Sequence, residues 1–280
     1  MLELVPITDR IGTEVRGIDL TEPISARDFD RIYQAWLDTT ILLFRGQSLT
    51  PEQHIAFTRQ FGDVICYTRE KFSEGQCPEI LILSNIVKDG KVIGSPVSGR
   101  VWHTDGHYLA DPPAGSIIYA IEIPPVGGDT LFANMFAAYE ELPESVKAQI
   151  NNLKVIISRV QSRPYNYPER PAPTAQEIAE WVDMPQPMVR VHPETGRKAI
   201  YAGGNVPWRI VGMDETESAP LVTFVQEFSV MKRFTYRHKW RPGDIIVWEN
   251  RSALHRATPY DLEKHRRLMH RTTFFQRKAS

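Results

Sequence analysis

Residues 101–109 read VWHTDGHYL, which places a histidine and an aspartate two positions apart beside a tryptophan. Alternate side chains of a β-strand point to the same face, so a strand here would project His103 and Asp105 together. One interpretation is a hydrogen-bonded pair in a packed core, and the other is two ligands of a metal ion. An isolated pair of this kind often occurs by chance, so the rest of the sequence must decide.

A third candidate ligand lies late in the chain. Residues 245–260 read IIVWENRSALHRATPY, and His255 is predicted to follow the end of the strand IIVW. Alone, a histidine there more often satisfies a buried carbonyl. Two imidazoles and one carboxylate, however, form the facial triad of non-haem Fe(II) oxygenases, which leaves positions open for a bidentate cosubstrate and O₂. A structural zinc site would close with four ligands, and no cysteine cluster is available to close it.

The composition restricts the class of function. The 280 residues are 42% hydrophobic, enough to bury a sizeable core. Their 33 basic and 34 acidic residues give a net charge of −1, without the basic bias of a nucleic-acid-binding protein. No apolar run approaches the ~20 residues of a membrane span, and the N-terminus resembles no signal peptide. Two cysteines outside any CxxC motif favour a reduced, cytoplasmic setting. We expect a small-molecule substrate, without nucleic-acid or membrane partners.

Strand-like patterns dominate the chain. Residues 26–38 have helical spacing, and Thr50 and Pro51 are typical of the N-cap and first residue of a helix over 51–62. Further helices are predicted at 136–153, interrupted near Pro143, and at 217–229. Strands are predicted at 2–7, 12–20, 39–44, 79–86, 115–123, 129–135, 234–240, 243–250 and 266–275, with two more around the turn PETG at 193–196.

This order of elements favours a mainly β fold, a β-barrel or sandwich with helical cover. We predict a single domain over residues 1–280, because strand patterning continues on both sides of the proline-rich stretch 160–187. That stretch is predicted to be an insertion or lid near the mouth of a site, since long loops in compact domains are often functional.

The last strand supplies two candidate anion-binding residues. Residues 265–275 read HRRLMHRTTFF, and strand alternation places Arg267 and Arg271 on one face, about 13 Å apart at roughly 3.3 Å per residue. Guanidinium groups bind carboxylates in a bidentate manner and are costly inside an apolar core without an anion. The two arginines therefore indicate bound carboxylates or internal acidic partners, although an exposed basic edge strand is the more common explanation of such a pattern alone.

Together these residues resemble the taurine / 2,4-dichlorophenoxyacetate dioxygenase family of Fe(II)- and 2-oxoglutarate-dependent oxygenases. The match covers nearly the whole chain in the expected order. It includes LLFRGQSLTPEQHIAFTRQFG, WHTDGHYLADPPAGSIIYAIEIPPVGGDT, VRVHPETGRKAIY, GDIIVWENRSALHRATPY and RRLMHRTTF.

The resemblance implies a double-stranded β-helix (jelly-roll) core and an enzyme that uses Fe(II), 2-oxoglutarate and O₂. It implies that the iron ligands are His103, Asp105 and His255, with no further catalytic residue. Thr130 and Arg267 would bind 2-oxoglutarate. Arg271 would bind an anionic substrate, and Arg266, the neighbour of Arg267, is the alternative if the register is off by one. Related halogenases carry Gly or Ala in place of the aspartate, so an intact Asp105 indicates hydroxylation or a related oxidation, with release of succinate and CO₂.

The substrate is less determined. The histidine, asparagine and phenylalanine that taurine-specific members carry are not matched here, since Tyr67 lies near the histidine position and Val206 near that of the phenylalanine, which makes taurine a poor candidate. The predicted substrate pocket contains Tyr67, His107, Tyr108 and Val206 beside Arg271. We expect a small organic acid, such as a sulfonate, a sulfate ester, an aryloxyalkanoate or an amino-acid derivative.

Three alternatives remain open at this level. They are a biosynthetic oxidase with isonitrile-type chemistry, a non-catalytic metal- or 2-oxoglutarate-binding sensor, and a zinc hydrolase. Family members are commonly dimers or tetramers, so a homo-oligomer is expected.

Overall fold

The computed structural model describes residues 1–67, 73–74, 77–167 and 170–276. Within these ranges no helix is both long and apolar enough to cross a membrane. The α-helices of the described chain are α1 Ala26–Thr39, α2 Pro51–Phe61, α3 Met135–Glu140, α4 Glu144–Ile150, α5 Arg159–Asn166, α6 Ala175–Glu180 and α7 Glu215–Ser229.

The strands include all those predicted and several short ones that were not. They are β1 Glu3–Pro6, β2 Thr13–Arg16, β3 Ile41–Phe44, β4 Gly62–Val64, β5 Ser73–Glu74, β6 Cys77–Ser84, β7 Val87–Lys88, β8 Lys91–Val92, β9 Gly115–Glu122, β10 Thr130–Asn134, β11 Lys154–Ile156, β12 Pro185–Pro187, β13 Val189–Val191, β14 Lys198–Ile200, β15 Arg209–Ile210, β16 Thr235–His238, β17 Ile245–Glu249, β18 Ala253–Ala257 and β19 Leu268–Gln276.

Two sheets form the core of the fold. The larger has the order β1-β2-β3-β17-β9-β19-β6-β5, with β4 also paired to β19, and the smaller has the order β16-β10-β18. They stack face to face, since Phe132 of β10 packs on Trp248 of β17 with ring centroids 5.9 Å apart. Of the barrel and the sandwich that the sequence left open, the chain forms the two-sheet jelly roll.

The first two helices cover the outer face of the larger sheet, and their sequence signals were local and strong. Thr50 accepts a hydrogen bond from the backbone N–H of Gln53, whose side chain accepts from the N–H of Thr50, and Pro51 begins α2. Helix α1 buries Ile32 and Trp36 in the apolar cluster beneath it. Both helix predictions are confirmed.

The structure modifies three local predictions. The segment with His103 and Asp105 is not a regular strand, because His103 forms one isolated bridge and Asp105 lies in the turn that follows. His255 follows the end of β17 as expected, but it lies in the middle of a further short strand, β18, which was not predicted. The stretch 160–187 is also not one long loop, since it contains most of α5, all of α6 and β12.

Acid is expected to destabilise this fold through His54, a fully buried residue of α2. Its Nε2 lies 3.3 Å from the Thr272 hydroxyl and its Nδ1 has no partner within the described chain. Burial, and then the nearby charge of His270, lowers the pKa of His54 to about 3. An unfolded histidine titrates near 6.5, so the unfolded state binds the extra proton below that pH and stability falls as the pH falls.

The expected loss through His54 between pH 6.5 and 4.5 is about 2 kcal/mol, because the slope is half of about 1.4 kcal/mol per pH unit at pH 6.5 and reaches that value only at lower pH. Urea unfolding of the wild type and of His54→Gln at both pH values measures it. The variant should show the smaller difference between the two pH values. Equal differences would show that His54 does not carry the effect.

Candidate metal centre

The three predicted ligands lie together between the sheets. One ligand atom from each of His103, Asp105 and His255 falls within 4.8 Å of the others. The two histidine backbones are joined by a pair of hydrogen bonds, from His103 N–H to the His255 carbonyl at 3.1 Å and in the reverse direction at 2.8 Å. This bridge fixes the spacing of the two imidazoles.

Each imidazole is oriented by its surroundings. His255 lies opposite Phe132 in the pairing of β18 with β10, and the Trp248 ring packs 4.8 Å from its own ring. The Nδ1 of His103 lies 2.7 Å from the carbonyl of Val101, which is an acceptor, so the ring can donate from Nδ1 and keep the Nε2 lone pair free. Metal-binding histidines usually donate their second nitrogen in this way.

Both oxygens of Asp105 receive hydrogen bonds. The Ser116 hydroxyl donates to Oδ2 at 2.8 Å, and Nη1 of Arg271 donates to Oδ1 at 2.9 Å. Burial would raise the pKa of Asp105, but the guanidinium of Arg271, followed by His255 and His103, holds it well below its usual range. The carboxylate is therefore ionised at neutral pH.

The histidines are neutral at the same pH. Burial lowers the pKa of His103, and burial together with the proximity of His103 lowers the pKa of His255 to about 3. Neutral imidazoles and an ionised carboxylate are the forms that bind metal ions. No fourth His, Cys, Asp or Glu within the described ranges comes close enough to complete the group. The donor set thus fits a metal ion with open coordination positions.

Arg267 lies one residue before β19 and is partly buried. Its Nε is buried without a hydrogen-bond partner, and no carboxylate of the described chain forms an ion pair with it. Burial lowers its pKa to about 10, opposed only by Tyr260. The adjacent Arg266 is different, because it is exposed and pairs with Glu122 at 3.2 Å. The two arginines are therefore not interchangeable, and Arg267 is the one without a counter-ion among the described residues.

Thr130 begins β10 and is buried. Its hydroxyl oxygen accepts a hydrogen bond from Trp240 Nε1 at 3.0 Å, which leaves its proton free to donate. The preceding turn packs on Tyr260. At Gly127, whose φ is 77°, an added Cβ would collide with the Pro259 carbonyl and approach Tyr260. Tyr260 thus contacts the turn before Thr130 and also lies close enough to influence Arg267.

Tyrosines surround the guanidinium of Arg271. The Tyr67 hydroxyl donates to Thr273 Oγ1 at 2.8 Å, and Tyr67 and Arg271 affect each other's pKa. Tyr167, from the predicted lid, and Arg271 also affect each other's pKa. Burial raises the pKa of Tyr167 to about 12 against the opposing effect of Arg271. The structure therefore brings Tyr67 next to Arg271 as expected, and adds Tyr167.

Two contacts attach the stretch 160–187 and its N-terminal neighbour to the loop after Asp105. The guanidinium of Arg159 lies 4.9 Å from the ring of Tyr108 and 4.2 Å from that of Trp181. The side chain of Gln186 donates to the Leu109 carbonyl at 2.7 Å. The sequence placed Tyr108 in the substrate pocket, and here it lies at this junction.

The other two predicted pocket residues are buried. His107 has Nδ1 2.7 Å from the Thr104 carbonyl, and its Nε2 has no partner among the described residues. Burial lowers its pKa to about 4. Val206 belongs to the largest apolar cluster, which also contains Trp102. A cavity of about 570 Å³ lies among other residues, including Ala114, Arg190 and Arg251, and none of the predicted ligands lines it.

Sequence reasoning missed four residues of this region. Tyr167 and Tyr260 reach it only through contacts between distant segments, and so does Asn250, whose backbone carbonyl accepts a hydrogen bond from the Thr104 hydroxyl at 2.6 Å. Ser116 could have been noticed in the sequence, because it is a small polar residue within the apolar first half of the strand GSIIYAIE. A polar side chain that is fully buried in such a strand needs a hydrogen-bond partner, and Asp105 is that partner.

Comparison with known proteins agrees with the fold. The family model described as "Taurine catabolism dioxygenase TauD, TfdA family" matches residues 3–273. An alpha-ketoglutarate-dependent 2,4-dichlorophenoxyacetate dioxygenase of Cupriavidus pinatubonensis is 30% identical over 96% of each chain. An (S)-phenoxypropionate/alpha-ketoglutarate-dioxygenase of Sphingobium herbicidovorans is 32% identical over 96% of this chain and 93% of that protein. The crystal structure of AAD-2 in complex with Mn(II) and N-oxalylglycine has a TM-score of 0.83 at 27% identity, covering 99% and 98% of the two chains.

Proposed function

This chain belongs to the taurine catabolism dioxygenase TauD, TfdA family, and from that premise we propose that it oxidises a small organic acid. It is a non-haem Fe(II)- and 2-oxoglutarate-dependent dioxygenase. The observation that carries the proposal is the group of His103, Asp105 and His255, within 4.8 Å of one another and without a fourth ligand in the described ranges.

The three side chains would hold Fe(II), and the bound ion would supply O₂ activation coupled to oxidation of 2-oxoglutarate to succinate and CO₂. Asp105 enters this role already ionised, and His103 and His255 enter it neutral. No proton must therefore leave a ligand when the ion binds near neutral pH. The protein's part is to orient the reactants and exclude water.

Arg267 and Thr130 are proposed to bind 2-oxoglutarate. A buried guanidinium without a counter-ion is costly, and a carboxylate in bidentate contact would remove that cost. The free proton of the Thr130 hydroxyl can donate to the same dianion. Tyr260, next to both the turn before Thr130 and Arg267, would help position the guanidinium.

Arg271 is proposed to bind the acid group of the substrate. Only one of its nitrogens is used by Asp105, and its Nε is buried without a partner in the described chain. Tyr67, Tyr108 and Tyr167 would contribute apolar ring surface around that acid group. His107 and Val206 remain part of the proposed pocket, and we propose that residues 160–187 cover it. An aryloxyalkanoate, a sulfonate, a sulfate ester or an amino-acid derivative would suit such a pocket.

We also propose that the chain acts in the cytoplasm as a homo-oligomer. The chain has two cysteines and neither lies in a CxxC motif, which is typical of a protein of a reducing compartment. Analytical ultracentrifugation would distinguish a dimer or tetramer from a monomer.

The function can be tested by adding Fe(II) and then 2-oxoglutarate to metal-free protein without oxygen. A weak visible charge-transfer band should appear in the wild type and be absent from His103→Ala. With oxygen, succinate release over a panel of small organic acids, including amino-acid derivatives, would then identify the substrate. A folded, metal-loaded protein without the band would favour the hydrolase, and the band without turnover on any acid would favour the sensor.

Replacing Arg271 with alanine is expected to raise the KM for the organic acid about 30-fold. The reason is that about 2 kcal/mol is lost when a hydrogen-bonded charged partner is removed. The KM for 2-oxoglutarate should change much less, because Arg267 is proposed to bind it. Steady-state kinetics with each compound varied in turn measure both values. Equal increases in the two KM values would contradict the assigned role of Arg271.

A further inference from the structure

The carboxylate of Asp105 is fixed from two directions by residues of different kinds. Arg271 donates to Oδ1 from a long side chain that is proposed to bind the substrate. Ser116 donates to Oδ2 from β9, a central strand of the larger sheet, and is fully buried. Only the second donor is independent of the substrate.

The direction of the hydrogen bonds around Ser116 follows from a count of protons. An ionised carboxylate only accepts, so the single hydroxyl proton of Ser116 points to Asp105. The contact between Ser116 Oγ and Thr273 Oγ1, at 3.1 Å, must then use the proton of Thr273. The Tyr67 hydroxyl in turn donates to Thr273 Oγ1 at 2.8 Å. The result is a one-way chain from Tyr67 through Thr273 and Ser116 to Asp105.

Asn250 supports the same arrangement from the other side. Its side-chain nitrogen donates to Ser116 Oγ at 3.4 Å, while its Oδ1 accepts from Trp248 Nε1 at 2.8 Å. Its backbone carbonyl accepts from the hydroxyl of Thr104, the residue between the two ligands His103 and Asp105, at 2.6 Å. Ser116 Oγ therefore accepts from two groups and donates to Asp105 alone.

We propose that Ser116 is a positioning residue that sets the orientation of the Asp105 carboxylate for the metal ion, and that it keeps this orientation when Arg271 turns to the acid group of a substrate. This inference rests on the proposed function, because it assumes that Asp105 is a ligand. A serine that only packed in this apolar strand would not affect metal affinity, whereas the proposed role gives Ser116 such an effect.

The experiment measures the affinity of metal-free protein for Mn(II) by electron paramagnetic resonance of the free ion. Ser116→Ala should bind Mn(II) about 10–100-fold more weakly, the usual effect of removing a hydrogen-bond partner of a metal ligand. Ser252→Ala is the matched control. Ser252 is also fully buried, and its hydroxyl has no partner among the described residues, so this variant should bind within about threefold of the wild type.

Two further variants separate position from general packing. Thr273→Val leaves the hydrogen bond from Ser116 to Asp105 in place and should weaken Mn(II) binding about threefold at most. Ser116→Cys keeps the volume but weakens the donor, and Mn(II) prefers oxygen ligands to a thiolate. The Ser116→Cys variant should therefore also bind Mn(II) more weakly than the wild type. It replaces Ser116→Ala in the experiment if that variant does not fold. The melting temperature of each metal-free variant checks folding.

The outcomes are distinct. If wild-type protein binds Mn(II) no better than His103→Ala, the proposed centre itself is wrong. If the wild type binds and Ser116→Ala binds equally well, only the role of Ser116 is wrong. A loss as large in Ser252→Ala as in Ser116→Ala would also overturn it, because the effect would then come from core packing.

Discussion

Replacement of His255 with alanine is expected to weaken metal binding at least about 100-fold and to abolish turnover. Four-ligand metal sites bind with about 10–16 kcal/mol, so one ligand contributes about 3 kcal/mol, which is a factor of more than 100. No neighbouring residue of the described chain can replace it, since the group contains only His103 and Asp105 besides.

The variant should still fold, because the backbone bridge between positions 103 and 255 does not use the imidazole. His265→Ala is the control, since His265 lies in the loop before β19 and is not part of the ligand group found among the described residues. Titration with Mn(II) and succinate release should leave His265→Ala unchanged and show almost no binding or turnover in His255→Ala. Retained turnover in His255→Ala would remove this histidine from the proposed centre.

The parts of the fold that could be predicted from sequence are those whose determinants are local. The N-cap Thr50, the first-turn Pro51 and the spacing of Ile32 and Trp36 specify α1 and α2 within a few residues. Strand β18 could not be predicted in this way. Its sequence ALHRA lacks apolar alternation, and it forms because its backbone pairs with β10, more than a hundred residues earlier in the chain.

The same distinction applies to the site. The predicted ligands His103, Asp105 and His255 were selected by residue type and spacing, although the assumed strand geometry was wrong for Asp105. Arg267 and Arg266 are neighbours of identical type, and a shift of one residue would exchange them. Only the structure separates them, by the ion pair of Arg266 with Glu122 and the missing counter-ion of Arg267. Ser116, Tyr167 and Tyr260 act through contacts that no local pattern encodes.

Replacement of Arg267 with methionine is expected to have opposite effects on cosubstrate binding and on stability. Loss of one partner of a buried charge pair costs about 2–5 kcal/mol, so the Kd for 2-oxoglutarate should rise at least about 30-fold. In the ligand-free protein, however, Arg267 has no carboxylate partner in the described chain, and burial already lowers its pKa to about 10. An apolar side chain of similar length removes that cost.

The ligand-free Arg267→Met protein should therefore unfold at the same temperature as the wild type or at a higher one. Addition of Mn(II) and 2-oxoglutarate should raise the melting temperature of the wild type well above the increase from Mn(II) alone, and should not do so in the variant. Arg266→Met is a matched control one residue away, and it should respond to 2-oxoglutarate like the wild type because Arg266 is exposed. A structural arginine would give the reverse pattern, in which Arg267→Met lowers the melting temperature of the ligand-free protein and leaves the increase caused by 2-oxoglutarate intact. That pattern would contradict the assignment, because an arginine kept for an anion should be needed only when the anion is present.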